Sequence, residues 1–296
     1  LLSAIMPELP DLAVVADALH ASLAGREIAD SEVRESLVVR GTPADVGALA
    51  GQRLLSIDRR GKFLTLHFER DAVRINAMLT GRLGLAMPGA KPFPDTAVVM
   101  RFGAKREGKP GSGPAGWTRR AAWIPDPGLP VELRYRDATR MGKVYLLPAD
   151  VERPVPGWAE QGPDADDPGL DLATWRAGIR RHRGELKNVL RDQTFVAGIG
   201  NAYSDEILWA ARLLPLRKRS RLATEEVDRL HTATVEVLGW AIDELRQRVP
   251  PRFEVEVRDF LRVHRRGGAA CPRCGATISE IAPRGFVTSF CRGCQS

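Results

Sequence analysis

The apolar positions of this chain follow two periods, and the change falls just past its middle. From Asp11 to Ala24 they recur at helical spacing (Leu12, Val15, Leu19, Leu23), with Gly25 as the stop. Short, partly alternating runs rich in strand-favouring residues come next: Val38-Val39, Arg53–Ile57, Lys62–Phe68, Ala97–Phe102 and Val131–Tyr135. Arg59-Arg60-Gly61 reads as a turn between two of them. Many short strands joined by turns predict an antiparallel sandwich. Between Gly103 and Pro130 the pattern dissolves into Lys, Gly, Pro and Ser, which predicts a long flexible excursion. Pro154-Val155-Pro156-Gly157 through Asp166-Asp167-Pro168-Gly169 reads as a linker. After it the period is helical, over Leu172–Arg181, Leu186–Asp192, Ala202–Ala211 and Thr224–Arg248. In the last of these Thr224-Glu225-Glu226 supplies a capping start, and Val227, Leu230, Val235, Leu238 and Ile242 form a stripe expected in the core. From Val255 onward short strands and turns return. The expected class is α+β: an N-terminal helix plus antiparallel β-sandwich at 1–150, a linker at 151–169, a helical domain at 170–250 and a small module at 251–296.

Composition narrows this little. A chain of 296 residues can bury a substantial core and divide into two domains. Its 44 basic and 37 acidic residues give +7, and the pI is near 9.6, which permits a nucleic-acid partner without requiring one. No apolar run approaches membrane-spanning length. Leu1–Ile5 lacks a basic region and is too short for a signal peptide. All four cysteines lie in the last 26 residues as two C-x-x-C pairs, the pattern of a metal site in a reducing cytoplasm.

Three motifs carry chemistry. Cys271, Cys274, Cys291 and Cys294 suit one tetrahedral, structural Zn²⁺ with no open coordination position; redox thiols or iron would use the same residues. In Gly198-Ile199-Gly200-Asn201 the glycines expose N–H groups at a helix start, a seat for a phosphate, to which the Asn201 amide adds a donor; a tight turn would use the same residues. In Met6-Pro7-Glu8-Leu9-Pro10-Asp11, the proline suits a first helical turn. Freed of the residues before it, Pro7 is instead a secondary amine able to attack a sugar C1′ and form an iminium directly.

The Met6–Pro10 motif, the Asp192–Asn201 motif and the cysteine module stand in an order that resembles the formamidopyrimidine-DNA glycosylase and endonuclease VIII family of base-excision repair enzymes. The resemblance runs from Met6 almost to the C-terminus, with Lys187, Gly162-Pro163-Asp164 and Phe260–His264 in matching places. It implies a β-sandwich, a helix–two-turn–helix domain and a zinc finger, acting as a monomer on damaged double-stranded DNA and cutting the strand on both sides of the excised base. It assigns Pro7 as nucleophile, Glu8 as proton donor to the opening sugar, and Lys62, Arg140 and Asn201 as phosphate ligands. Lys187 is also placed among the DNA contacts.

Several positions depart from the family pattern. Asn76 stands at a frequent histidine, Asp11 at a glutamate and Leu79 at the intercalating methionine. Thr139 and Met141 replace an arginine and a phenylalanine that flank Arg140 and fill the gap left by the flipped base. Leu79 and Met141 remain apolar wedges, whereas Thr139 cannot read the orphaned base as an arginine fork does. Phe286 stands at the finger arginine, with Arg284 and Arg292 nearby. The expected function is a bifunctional glycosylase and abasic-site lyase. The alternative is a non-catalytic protein of the same fold that recognises damaged or abasic DNA. The first requires Met6 to be the initiator and to be removed, because with Met6 attached the Pro7 nitrogen is a tertiary amide.

Overall fold

The structure, a computed structural model, describes residues 6–105, 124–250, 252–282 and 285–296. The chain packs as two units. Among the described residues, the sandwich unit comprises 6–7, 11–105, 124–156, 245–250 and 252–257. Its elements are α1 (Leu9–Leu23), β1 (Ile28–Val33), β2 (Val39–Arg40), α2 (Pro43–Ala48), β3 (Leu54–Arg60), β4 (Phe63–Phe68), β5 (Ala72–Asn76), β6 (Arg82–Ala86), β7 (Thr96–Phe102), β8 (Val131–Arg136) and β9 (Lys143–Leu147). A four-stranded sheet runs β1-β7-β8-β6 and a five-stranded sheet runs β2-β9-β5-β4-β3. Ile75 and Val144 of one sheet share a small internal void with Leu83, Val98, Met100, Leu133 and Tyr135 of the other, so the sheets face each other across one core. The β3–β4 hairpin turns in two residues, since Arg60 pairs with Phe63 and Gly61 adopts φ +56°, a left-handed position glycine takes at little cost.

The expected sandwich is present, with one parallel pairing, β2 on β9. Sequence periodicity missed β1, β5, β6 and β9. In β1, Ile-Ala-Asp-Ser-Glu-Val is a sheet edge with Ile28 buried, Asp30 exposed and Glu32 partly so, and its three polar residues run together, so no apolar alternation marks it. The Gly103–Pro130 excursion falls mostly on 106–123, outside the described residues. Its base is held by the buried Arg26 guanidinium, which donates to the carbonyls of Gly103, Asp126 and Leu129 at 2.7–3.0 Å.

Among the described residues, the helical unit comprises 8–10, 157–244, 258–282 and 285–296. It contains α3 (Leu172–Arg180), α4 (Leu186–Arg191), α5 (Asn201–Ala210), most of α6 (Thr224–Arg248), and the hairpin β10 (Ile278–Ile281) and β11 (Thr288–Cys291). Two expectations change here. Part of the expected linker belongs to this unit: Gly162 N donates to Gln193 O, Ala165 N to Ala197 O, and Ala197 N returns to Pro163 O. The cysteine module is likewise packed with the helices. Buried Glu206 of α5 accepts the backbone N–H groups of Arg262, Val263 and His264 at 2.8–3.0 Å.

The α6 stripe also shifts. Leu230, Val237, Leu238, Ala241 and Leu245 are buried, a spacing that keeps one face inward, whereas Val235 is 52% exposed. Five residues past Leu230 is about 500° of helical rotation, which carries Val235 well off that face.

Candidate functional site

In the helical unit the anion seat at the start of α5 is filled by the protein itself. Glu8 is 1% exposed. Its Oε2 accepts from Gly200 N at 2.6 Å and Tyr203 N at 3.2 Å, and its Oε1 accepts from Ala202 N at 2.7 Å. These are N–H groups that a helix start leaves unpaired, and the helix dipole favours negative charge there. The expected phosphate seat is thus corrected: the carboxyl of Glu8 takes it. Both glycines are needed for the approach. A Cβ on Gly200 would lie 2.4 Å from Glu8 Cδ, and one on Gly198, at φ +102°, would lie 2.6 Å from Leu9 Cδ1. Leu9 itself is buried in the helical core with Trp175, Val196 and Tyr203.

One turn further along α5, Asp205 is fully buried and organises a polar cluster. It accepts from Lys187 Nζ at 2.6 Å, Ser289 N at 3.1 Å, and pairs with His264 Nδ1 at 2.8 Å. The Lys187 ammonium also donates to Val287 O and Thr288 Oγ1, and Asn201 Nδ2 donates to the same Val287 O at 2.8 Å. Burial pulls the Lys187 pKa down against the opposing pull of Asp205. Lys187 is therefore not placed as a direct DNA ligand: it is 4% exposed and its three donors are engaged within the unit. Asn201 sits at the first residue of α5 with its amide committed to the Phe286–Thr288 segment. Sequence reading gave Asp205 no role, although it lies inside the quoted motif; a carboxylate on the second turn of an apolar helix was the available signal.

The four cysteine sulfurs lie within 4.8 Å of one another, with Cys271–Cys294 at 3.8 Å and Cys274–Cys291 at 3.4 Å. A tetrahedron with metal–sulfur bonds of about 2.3 Å has sulfurs about 3.8 Å apart, so the set fits a closed metal shell. No pair is joined as a disulfide. Burial raises the Cys271 thiol, but the Trp209 indole N–H at 3.4 Å and the Arg273 and Cys274 backbone N–H groups bring it down to about 6. Burial and its sulfur neighbours push Cys294 up to about 12. Without a cation these thiols cannot all ionise together; a divalent ion binding four thiolates resolves that conflict. Trp209, near the end of α5, packs with Val263, Cys271, Ile278 and Cys291.

In the sandwich unit, Pro7 lines a largely apolar cavity of about 30 Å³ with Leu12, Val15, Leu83, Phe253 and Val255, walled by the Arg82–Glu256 ion pair at 3.1 Å. Lys62 occupies the second position of the β3–β4 turn. Leu79 and Met141 lie on two loops that Asp137 ties together. Buried Asp137 accepts from Thr80 Oγ1, from Thr139 N and Oγ1, from Gly142 N at 2.7 Å and from Tyr135 OH at 3.4 Å. Burial raises the Tyr135 phenol above the usual range, with Asp137 adding to it. Met141 is 45% exposed and Leu79 half-buried. Arg140, at φ +58°, is exposed and pairs with Glu35 at 2.7 Å. Thr139, at the expected gap-filling position, is hydrogen-bonded to Thr80 and Asp137. In the cysteine module, Phe286 is exposed with the Arg191 guanidinium 4.3 Å from its ring centroid; Arg292 lies over Phe290, and Arg284 falls outside the described residues.

The described residues thus combine a β-sandwich unit with a helical unit that carries a glycine-rich helix start and a four-cysteine hairpin. Residues 6–144 match the family model for the formamidopyrimidine-DNA glycosylase N-terminal domain, and residues 161–249 match that for its H2TH domain. The chain is 31% identical to the formamidopyrimidine-DNA glycosylase of Exiguobacterium sibiricum, over 98% of this chain and 99% of that one. It is 32% identical to that of Moorella thermoacetica, over 93% and 94%. Among solved structures, Lactococcus lactis Fpg bound non-covalently to DNA containing an abasic site superposes with a TM-score of 0.78 at 26% identity, covering 98% of this chain and 99% of that one. The MutM (Fpg) protein of Thermus thermophilus gives 0.77 at 26%, covering 98% of each. The chain belongs to the formamidopyrimidine-DNA glycosylase family.

Proposed function

We propose that this protein is a base-excision DNA glycosylase that also cleaves the resulting abasic site, acting on damaged duplex DNA with one structural Zn²⁺ on Cys271, Cys274, Cys291 and Cys294. The observation that carries this reading is the fixed Glu8 carboxyl, held by three backbone N–H groups and joined by one peptide bond to Pro7. Once Met6 and the residues before it are removed, the Pro7 nitrogen attacks C1′ of the flipped nucleotide. The C1′–base bond breaks, its electron pair leaves with the base, and the base takes up a proton. The nitrogen then gives its proton to the Glu8 carboxylate, its lone pair expels O4′, and Glu8 passes that proton on to O4′, leaving an iminium at C1′. Loss of a C2′ proton releases the 3′ phosphate, and a second elimination releases the 5′ phosphate. Lys62 and Arg140 hold the backbone phosphates, Arg140 exchanging Glu35 for phosphate, and Leu79 and Met141 enter the stack. The Thr139 hydroxyl, committed to Thr80 and Asp137, favours one further reading, binding without excision.

The two readings separate on trapping with borohydride. A preparation starting at Pro7 should form a covalent adduct with abasic or oxoguanine duplex that is lost in Pro7→Gly or Pro7→Thr, and a form retaining Met6 should form none. No adduct on any lesion from protein shown to start at Pro7 would overturn catalysis and leave the binding reading.

A further inference from the structure

Arg191 closes α4 half-buried, its guanidinium 4.3 Å from the centroid of the exposed Phe286 ring. Among the described residues that guanidinium makes no hydrogen bond and no ion pair. The two carboxylates whose fields it feels, Glu8 and Asp205, are engaged elsewhere: Glu8 by three N–H groups, Asp205 by Lys187, His264 and Ser289. The platform is fixed from below, because Val287 O receives both Lys187 Nζ and Asn201 Nδ2, and Thr288 Oγ1 receives Lys187 as well. A planar cation held on an aromatic face, with its N–H edge unspent and no internal counter-ion, is organised for an external anion.

We propose that Arg191, seated on Phe286, is a phosphate ligand of this unit that grips one backbone phosphodiester of the bound nucleic acid. This rests on the DNA-processing reading above. The Phe286 ring sets the plane of the guanidinium, and the buried Asp205–Lys187–Val287 cluster sets the ring.

The test is binding of the full chain to a duplex carrying a reduced abasic site, measured over a series of salt concentrations. Arg191→Gln should weaken binding about tenfold or more, and should lower the slope of log affinity against log salt by about 0.9, the value for one lost phosphate contact. Arg191→Lys, which keeps the charge, should keep the slope. Phe286→Ala should cost only a few fold with the slope intact. Adding Phe286→Arg to Arg191→Gln should restore the slope, because the cation returns from the other half of the pair. If Arg191→Gln matches a wild type that binds, or if Arg191→Lys loses the slope equally, Arg191 is a packing residue; the proposal fails while the DNA reading stands. A wild type with no affinity for the duplex overturns both.

Discussion

Gly200→Ala tests whether the start of α5 exists to hold Glu8. The new Cβ would lie 2.4 Å from Glu8 Cδ and 2.7 Å from Cγ and Oε1. Carbon atoms rest about 3.5–4.0 Å apart, so the carboxyl must retreat by roughly 1 Å. That movement breaks or stretches three hydrogen bonds of 2.6–3.2 Å made in a site with 1% exposure. Hydrogen bonds to a charged group contribute about 1.5–3 kcal/mol each, and local relaxation recovers part, so a loss of about 3–5 kcal/mol is expected. Glu8→Gln should cost less, about 1–3 kcal/mol, because its amide NH₂ opposes a single N–H donor while its oxygen keeps the others. Urea unfolding followed by tryptophan fluorescence gives the stabilities, and borohydride trapping of the Pro7-started protein gives the chemistry. Gly200→Ala should lose trapping along with stability. A variant within about 0.5 kcal/mol of wild type that still traps normally would refute the account of the glycine.

Removing metal with a chelator should change the Trp209 emission, because its indole N–H lies on Cys271 Sγ, and should destabilise the helical unit; metal analysis of the intact protein should return one zinc per chain. Asp137→Ala should cost about 2–4 kcal/mol and weaken lesion binding, since it strands the donors of Thr80, Thr139, Gly142 and Tyr135 on the two loops that carry Leu79 and Met141. The Arg153 hydrogen bond holds Asp45 below the usual carboxylate range, and the Thr42 cap adds to it despite some desolvation. The native value is thus lower than the unfolded one, about 3.9, so the contribution is present above pH 4 and is lost as pH falls through the native value. The stability difference between wild type and Asp45→Asn, measured by urea unfolding from pH 7 to 2.5, should follow that course.

The helices were legible because their signals are local: Gly25 after α1, the Thr224-Glu225-Glu226 start of α6, and Gly200 before α5 each fall within a residue or two of an observed end. The edge strand β1 was not, because its neighbour β7 lies some seventy residues on and its own sequence sets three polar residues in a row between apolar ends. The same division runs through the site. Pro7, Glu8 and the cysteines could be named from residue type and order. That Glu8 fills the glycine seat could not, since 192 residues separate Glu8 from Gly200. Lys187 looked like a ligand from its charge and position, and only its contacts with Asp205 and Val287 reveal it as internal scaffolding.

Helix α5 carries Glu8 at its first turn and Trp209, against Cys271, at its last. Its ten residues span about 15 Å, a length short enough to behave as a stiff rod. The packing of the sulfur cluster and the seating of the Glu8 carboxyl are then coupled through one helix. A disturbance of the four sulfurs that tilts this helix is therefore felt at the Glu8 carboxyl, at the helix's other end.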